Sequence, residues 1–553
     1  MIAVKQLVLA MVCTLGAMTG AALAQDASAP RAPIEEAFEA AQWADLSVTS
    51  QALARAAARS SARTPELKDL IDRLIVARQQ YDALDQAANA ARGGTSDAAK
   101  YKARTLSEAA DKAFGEVQSL SATLSHDYPA YESLVAPFPI SLADTQALLA
   151  PDEALVMIHP TADGTYIFAV RNTGTIWYRS DATAQALRPD VDALRFALDP
   201  GREALRGASS PGHENLRGAS AQRGSPVDAS GLPPEFTFSR QTAYRLYGQV
   251  FAPAEPALKG AKVVYVVASG PLSYLPLSVL VTTPPKGNDH DARALRKTDW
   301  LIKSYALATL PSVNSLKFLR GTQKTGATGQ GFVGFGSPDL SPAELADNLV
   351  PLPGAQAELL AMAKLFDDGP DSAKQVYTGS KATEKSLRST DLSQVRIIAF
   401  ATHALRAGEL DGLDEPALVL SEDGAVGDSN NDGLLTASEA ANLRLNADWV
   451  ILSACNTASG RKAVGVEGDE VLSGLARGFL ASGARSLVVS HWRVADQSAA
   501  RLTSTAVGYY VGGKFGRAEA LRAAMLDMLN DRSHPADASP ANWAAMVVVG
   551  EAR

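Results

Sequence analysis

Cysteine is almost absent from this chain of 553 residues, which contains only Cys13 and Cys455. Because we expect Cys13 to be removed with a leader segment, the mature protein would keep one thiol and could form no internal disulfide. A small scaffold held by disulfides is therefore excluded. A lone thiol in an oxidising compartment is prone to oxidation, so its retention indicates a chemical use, and a small buried core residue is the alternative.

Long apolar runs and an excess of positive charge are also missing. Beyond the leader, no stretch reaches the roughly 18 consecutive apolar residues that a membrane span requires. The net charge of −8 argues against a nucleic-acid partner, which would demand clustered Lys and Arg. We therefore predict no membrane span and no nucleic-acid binding. Hydrophobic residues make up 46% of the chain, enough for ordinary buried cores in about three domains.

The first 24 residues have the pattern of a secretory signal peptide. Lys5 provides the positive start, an apolar run extends from Leu7 to about Met18, and Ala22-Leu23-Ala24 forms a small-residue cleavage site. The apolar run is too short to make a membrane span. We predict cleavage after Ala24 and export of a bacterial protein to the periplasm or beyond the cell.

Residues 25–130 have a helical pattern. Apolar residues such as Leu67, Leu70 and Leu74 recur at spacings of three and four, which indicates one face of a helix. A Gly-Gly break at 93–94 precedes a second predicted helix from Ser96 to about Leu124, so we expect a helical hairpin or short bundle. Such helices could recruit a protein partner.

A βα pattern begins at about residue 131. Its first part, 131–320, contains a stretch at 201–234 rich in Gly, Ser, Pro and Arg, which we predict to be a mobile surface loop. The second part, 331–553, alternates continuous apolar strands with helices. This alternation predicts a mostly parallel sheet covered on both faces.

His403 and Cys455 each follow one of these apolar strands, predicted at 395–401 and 449–453. In parallel sheets, chemistry gathers at the carboxyl ends of strands, so neighbouring strands would bring both side chains to one edge. His403 precedes Cys455 by 52 residues, close to the spacing of about 50 in caspases, although the flanking caspase motif is absent.

Several blocks of sequence resemble the CHAT family, which is related to caspases and separases. They are FATHALRAGELDGLDEPALVLS, DGLLTASEAANLRLNADWVILSACNTASG and GDEVLSGLARGFLASGARSLVVSHWRVAD, preceded in family order by VVYVVASGPLSYLPLSVL, LIKSYALATLPSVNSL and PLPGAQAELLAMAKLF. The resemblance covers roughly Tyr131 to Arg553. It implies an α/β caspase-like fold, a mostly parallel sheet with flanking helices, here preceded by the N-terminal α-helical hairpin or bundle.

Where such a domain is active, the resemblance implies cysteine endopeptidase chemistry on a protein or peptide substrate. The thiolate is the nucleophile and a nearby imidazole accepts its proton, which are the roles we assign to Cys455 and His403. Backbone amides of Cys455 and Ala404 are the expected donors to the oxyanion. The family usually has Gly where this chain has Ala404, and this departure favours the alternative of a catalytically inactive scaffold for protein–protein interaction.

Two further residues near these blocks have competing interpretations. His491 also follows a predicted strand, Ser486–Ser490, and is the rival candidate for the base. Asp496 lies where separase-like relatives carry an acidic residue that reads a basic substrate side chain. The alternative for Asp496 is a helix cap before residues 497–500.

The segment DSNNDGLLTASE fits a calcium-loop template at every specified position. The matching residues are Asp428, Asn430, Asp432, Gly433 and Glu439. Against this interpretation, the preceding segment has the pattern of a strand and loop, and LTASE has that of an ordinary helix start. We therefore predict that no cofactor is required, and we keep calcium as a candidate ligand.

Other motifs point to no further chemistry. GFVGFGSP lacks the helix and the acidic ribose ligand of a dinucleotide site, so we interpret it as a strand that ends in a turn. The chain has no G-x-S-x-G elbow, H-E-x-x-H motif or Cys/His zinc cluster. The leading prediction is a periplasmic cysteine endopeptidase.

Overall fold

The computed structural model describes residues 33–44, parts of 69–87, 97–127, 139–199, 237–321, most of 330–454, and 474–553 except 493 and 495. The predicted signal peptide, the predicted loop at 201–234 and Cys455 lie outside the described residues, as does the predicted boundary near residue 130. Contacts between Cα atoms divide the chain into two units, Met1–Asp144 and Thr145–Arg553. None of the described helices combines the length and apolarity that crossing a membrane requires.

The described part of the first unit is helical, as its periodicity predicts. Helix α1 covers Pro33–Ala44 and helix α2 covers Asp97–Asp127, with further helical residues between 69 and 87. The ring of Tyr81 packs against that of Phe114 on α2, with ring centroids 5.3 Å apart. This contact joins the two segments that the predicted hairpin would pair.

The second unit is built on one large mixed sheet and a small antiparallel one. The strands are β1 (Glu153–Pro160), β2 (Thr165–Arg171), β3 (Gly174–Ser180), β4 (Val263–Ala268), β5 (Ala306–Thr309), β6 (Phe332–Gly336), β7 (Lys374–Thr378), β8 (Ile397–Ala401), β9 (Ala404–Leu405), β10 (Ala417–Val419), β11 (Leu434–Thr436), β12 (Trp449–Ser453), β13 (Ser486–Ser490) and β14 (Met546–Gly550). Eleven of them form the large sheet in the order β3-β2-β1-β4-β5-β14-β13-β12-β8-β6-β7, and β9, β10 and β11 form the small sheet.

Helices occupy the connections between these strands. They are α3 (Leu142–Leu148), α4 (Ala184–Leu198), α5 (Arg240–Val250), α6 (Glu255–Leu258), α7 (Ala292–Lys297), α8 (Leu301–Ser304), α9 (Val313–Gly321), α10 (Pro353–Lys364), α11 (Glu384–Ser389), α12 (Ala437–Asn442), α13 (Gly474–Ala481), α14 (Asp496–Val511), α15 (Arg517–Asn530) and α16 (Pro540–Trp543). The predicted mostly parallel sheet with flanking helices is therefore confirmed.

The large sheet consists of two parallel blocks that run in opposite directions. Strands β13, β12, β8, β6 and β7 are parallel to one another, and β1, β4, β5 and β14 form a second parallel set, to which β2 and β3 add an antiparallel edge. Strand β14 joins the blocks because it pairs antiparallel with β13 and parallel with β5. The carboxyl ends of β8, β12 and β13 consequently lie at one edge.

Most strands of this sheet are buried almost throughout, which explains their continuous apolar sequences, whereas the edge strands β3 and β7 are mainly exposed or half-buried. Every residue of β1, β4, β6, β8 and β13 is buried. In β6 a side chain at Gly336 would collide with the carbonyl oxygen of Ala401 in β8, so only glycine permits this approach. Ser337 follows with a φ of 44°, so GFVGFGSP is a strand that ends in a turn, as predicted.

Candidate active site

The strands that precede His403 and Cys455 are hydrogen-bonded neighbours. Strands β8 and β12 run parallel, and Ala401 at the end of one is the register partner of Ser453 at the end of the other. His403 and Cys455 each follow two residues later in the sequence. The two strands are therefore neighbours, as the prediction of a His403–Cys455 pair requires. The placement of the Cys455 thiol stays a prediction, because that residue lies outside the described ones.

The backbone around His403 is tied to the small sheet, and its side chain is half-buried. The buried Thr402 hydroxyl donates a hydrogen bond to the carbonyl of Val419, with an O···O distance of 2.5 Å. The Val419 N–H in turn donates to the carbonyl of His403 at 2.9 Å. These two bonds fix the main chain on which the imidazole is carried.

Ala404 occupies the position where the family usually has glycine. It begins β9 and lies opposite Leu418 of β10. Because the Val419 N–H bonds to the His403 carbonyl, Ala404 and Leu418 form a non-hydrogen-bonded pair, and the Ala404 N–H points away from β10. Its φ is negative, so alanine adopts this conformation without strain. An amide that the sheet does not use is what an oxyanion donor requires.

A cavity of about 40 Å³ lies at the ends of these strands. Its lining includes Glu358, Thr402, Ser453, Ala454, Ser490 and Trp492. Its polar residues lie at the end of β12, at the end of β13, directly after β8 and in helix α10. The edge of the sheet that sequence analysis selected therefore forms a recess with hydroxyl and carboxyl groups. His403 does not line it.

Two hydrogen bonds hold the residues immediately before Cys455, and sequence analysis found neither of them. The Ser453 hydroxyl donates to the carboxylate of Glu358 at 3.1 Å, and the Ser490 hydroxyl donates to the carbonyl of Ala454 at 2.5 Å. Glu358 is the only acidic residue in the apolar helix α10, PGAQAELLAMAK. That isolated charge is the sequence signal that could have identified it.

The family model described as CHAT domain matches residues 240–551, more than half of the chain. The chain belongs to the CHAT-domain family. The match begins later than the resemblance we predicted from Tyr131. Strand β1 nevertheless pairs in parallel with β4, so residues before 240 contribute to the same sheet as the matched CHAT region.

Two curated relatives of this CHAT protein are tetratricopeptide repeat protein 28 of mouse and of human. The mouse protein is 25% identical over 346 residues, 55% of this chain, and the human protein is 25% identical over 357 residues, 57% of this chain. The aligned region covers 13% of each relative's length. The activity of the whole relatives is therefore no guide to this chain.

Similar solved structures include a cysteine peptidase and a separase complex. The Saccharomyces cerevisiae separase–securin complex has a TM-score of 0.42 and 11% identity, and the alignment covers 94% of this chain and 42% of that one. The Arg-specific cysteine proteinase gingipain R has a TM-score of 0.35 and 9% identity, with 57% and 66% of the two chains covered.

His491, the rival histidine of the CHAT region, lies in different surroundings from His403. It is buried, and its Nδ1 has no hydrogen-bond partner among the described residues. It lines a separate cavity of about 50 Å³ whose walls are mainly aliphatic, with Leu272, Leu521 and Met525 among them. Burial lowers the pKa of His491 to about 3, and the nearby Arg195 guanidinium adds to this effect. His491 is therefore a weak base at neutral pH.

Asp496 is the first residue of helix α14. It therefore lies within the first helical turn, where a carboxylate is favoured by the helix dipole. The orientation of its side chain is outside the described part of the structure. Its assignment to substrate recognition stays a prediction.

Glu439 of the predicted calcium loop caps a helix. Its carboxylate accepts hydrogen bonds from the backbone N–H and hydroxyl of Thr436 at 3.0 and 2.9 Å, and its own N–H donates to the Thr436 hydroxyl, which forms a capping box. The Arg388 guanidinium lies 3.7 Å from the other carboxylate oxygen. Asp428 and Asn430 lie among the residues that the structure does not describe. Glu439 therefore has an ordinary structural role at the start of α12.

One of the remaining loop residues, Gly433, contacts a buried carboxylate that sequence analysis missed. Asp432 accepts a hydrogen bond from the Leu434 N–H at 2.9 Å, and the Gly433 N–H donates to Glu384 at 3.0 Å. Burial, followed by the negative charge of Glu439, raises the pKa of Glu384 to about 7. This part of the small sheet thus brings several carboxyl groups together.

Proposed function

We propose that this CHAT protein is a cysteine endopeptidase in which His403 and Cys455 form the catalytic pair. The observation that carries the proposal is the register of β8 and β12, in which Ala401 and Ser453 are partners. His403 lies two residues after Ala401, and Cys455 lies two residues after Ser453. The family membership of residues 240–551 is consistent with this chemistry. No cofactor is needed for it.

The proposed reaction uses the imidazole as base and then as acid. His403 accepts the thiol proton, and the Cys455 thiolate attacks the substrate carbonyl carbon, whose oxygen becomes negative. The backbone N–H groups of Ala404 and Cys455 stabilise that oxygen. The C–N bond then breaks, the imidazolium gives its proton to the leaving amine, and water hydrolyses the thioester to release the acid and restore the thiol.

Further parts of the proposal concern substrate and location. A carboxylate at Asp496 would suit a substrate with a basic side chain before the scissile bond. The N-terminal helices would recruit a protein partner, and the signal-peptide pattern of residues 1–24 supports a periplasmic or extracellular location.

The test is labelling with an electrophilic peptide probe that carries lysine or arginine next to the reactive group. The protein from Gln25 onward, Cys455→Ala and His403→Ala are compared, each with and without reductant. We expect covalent labelling that requires both residues. Labelling that persists in either variant would contradict the proposed pair.

Complete absence of labelling in the folded protein would favour the inactive scaffold. The observation behind that second candidate is Ala404 in place of the usual glycine. Its distinguishing property would be a Cys455 thiol that reacts no faster than an unperturbed cysteine at neutral pH.

A further inference from the structure

Helix α10 places a carboxylate in the interior beside the candidate active site. Glu358 is only 4% exposed, and its neighbour Leu359 is fully buried. A buried carboxylate is costly unless hydrogen bonds replace the water that it loses. The hydrogen bonds of Glu358 therefore show which groups replace water around its carboxyl group.

Each carboxylate oxygen accepts a hydroxyl hydrogen bond from a different element. Oε2 accepts from Ser453 at the end of β12 at 3.1 Å, and Oε1 accepts from Thr503 in α14 at 2.6 Å. The Thr503 hydroxyl also lies 3.0 Å from the carbonyl oxygen of Ala499 in its own helix. Glu358 thus connects α10, α14 and the end of the strand that leads to the candidate nucleophile.

A second hydrogen bond secures the next residue of the same strand end. The Ser490 hydroxyl at the end of β13 donates to the carbonyl of Ala454. Ser453 and Ala454 are therefore each held from a neighbouring element, one through its side chain and one through its backbone. The main chain is restrained up to the residue before Cys455.

We propose that Glu358 is a positioning residue that fixes the end of β12 and so sets the position from which the chain continues to Cys455. The effect of Glu358 on the reactivity of the Cys455 thiol rests on the proposed function. Its restraint of the end of β12 does not. Glu358 would act through Ser453 and not through the substrate. Loss of its carboxylate should loosen the last residues of β12 and reduce the activation of the thiol.

The variants for the test are Glu358→Ala, Glu358→Gln and Ser453→Ala. Thr165→Val is the matched control, since the buried Thr165 hydroxyl makes a comparable 2.6 Å hydrogen bond to Ala182 in a distant part of the sheet. Two quantities are measured in the folded proteins: backbone hydrogen exchange of residues 449–454, and the rate of Cys455 alkylation by iodoacetamide at pH 7.

We expect Glu358→Ala and Ser453→Ala to speed exchange at the end of β12 and to slow alkylation, each by about ten-fold or more. Glu358→Gln should restore much of both values, because its amide oxygen still accepts one hydroxyl. Thr165→Val should change neither. Unchanged exchange at 449–454 in Ser453→Ala would overturn the proposal, even if Glu358→Ala did not fold.

The two readouts separate this inference from the proposed function. If the Cys455 thiol of the unmodified protein reacts no faster than an unperturbed cysteine, the peptidase proposal fails. The exchange comparison would still decide whether Glu358 restrains the end of β12.

Discussion

His403 and His491 follow parallel strands of the same block of the sheet, yet they meet opposite surroundings. His403 is half-buried, and the chain after it leaves the large sheet to pair as β9. His491 is buried and lines an aliphatic cavity, while the Arg195 guanidinium donates to its carbonyl at 3.0 Å and disfavours a positive imidazole. A position after a strand therefore does not by itself make a histidine a base. Solvation and neighbouring charge decide whether the ring can accept a proton.

The largest expected effect is on the reactivity of Cys455 when each histidine is replaced. His403→Ala should reduce the rate constant for probe labelling by about 10²–10⁴-fold, the range for loss of a general base. His491→Leu is the matched control and should leave that rate constant within about three-fold. A larger loss in His491→Leu than in His403→Ala, with both variants folded, would reverse the assignment.

The next effect concerns stability in acid. The pKa of His491 falls from 6.5 in the unfolded chain to about 3 in the folded protein because of burial. The unfolded state therefore binds more protons between these values, and stability present above pH 6.5 is lost as pH falls toward 3. Relative to the unmodified protein, His491→Leu should retain about 2–3 kcal/mol more stability on going from pH 7 to pH 4.5.

Urea unfolding at the two pH values measures this difference. Other acid-sensitive groups affect both proteins alike and cancel in the comparison. Equal losses of unfolding free energy in the two proteins would show that His491 is not held neutral by its cavity.

A smaller effect should appear beyond His403, in the small sheet and helix α12. Glu439→Ala removes the capping box and should cost about 1 kcal/mol of unfolding free energy, with or without calcium. Glu439→Gln retains an oxygen that can accept the Thr436 N–H and should cost less. Calcium that raised the melting temperature of the unmodified protein but not of Glu439→Gln would instead establish the loop as a cation site.

The smallest effect is expected at the residue after His403. Ala404→Gly restores the residue that the family usually has, but the backbone of Ala404 already has a negative φ and an N–H that points away from β10. We expect the labelling rate to change by less than about three-fold and stability to fall by about 0.5–1 kcal/mol. A gain of a hundred-fold in labelling would show that the methyl group obstructs the oxyanion site.

Much of the sheet could be predicted from sequence because its central strands are buried on both faces. The predicted strands Trp449–Ser453 and Ser486–Ser490 match the structure residue for residue. The short strands β9 and β11 were not predicted, because two or three residues are too few to show a period. Strand β10 lies in the segment before the calcium-loop template, for which the pattern did indicate a strand and loop. Strand β14 was also missed, and with it the reversal of direction between the two blocks.

The supporting contacts of the candidate site could not be predicted in the same way. Glu358 and Ser453 are 95 residues apart in the sequence, and no local pattern predicts the hydrogen bond between them. The burial of His491 likewise depends on helix α15 and on the turn after β4, which are distant in the chain. The sequence pattern identified the edge of the sheet at which the candidate residues lie. The groups that hold the strand ends at this edge come from elements that are distant in the sequence.

The place of β14 in the sheet has a consequence for the folding of the chain. It lies furthest along the chain of all the described strands, yet it is the one that joins the two blocks. Until β14 is in place, β5 and β13 each have an open hydrogen-bonding edge. Such edges are surfaces through which incompletely folded chains aggregate.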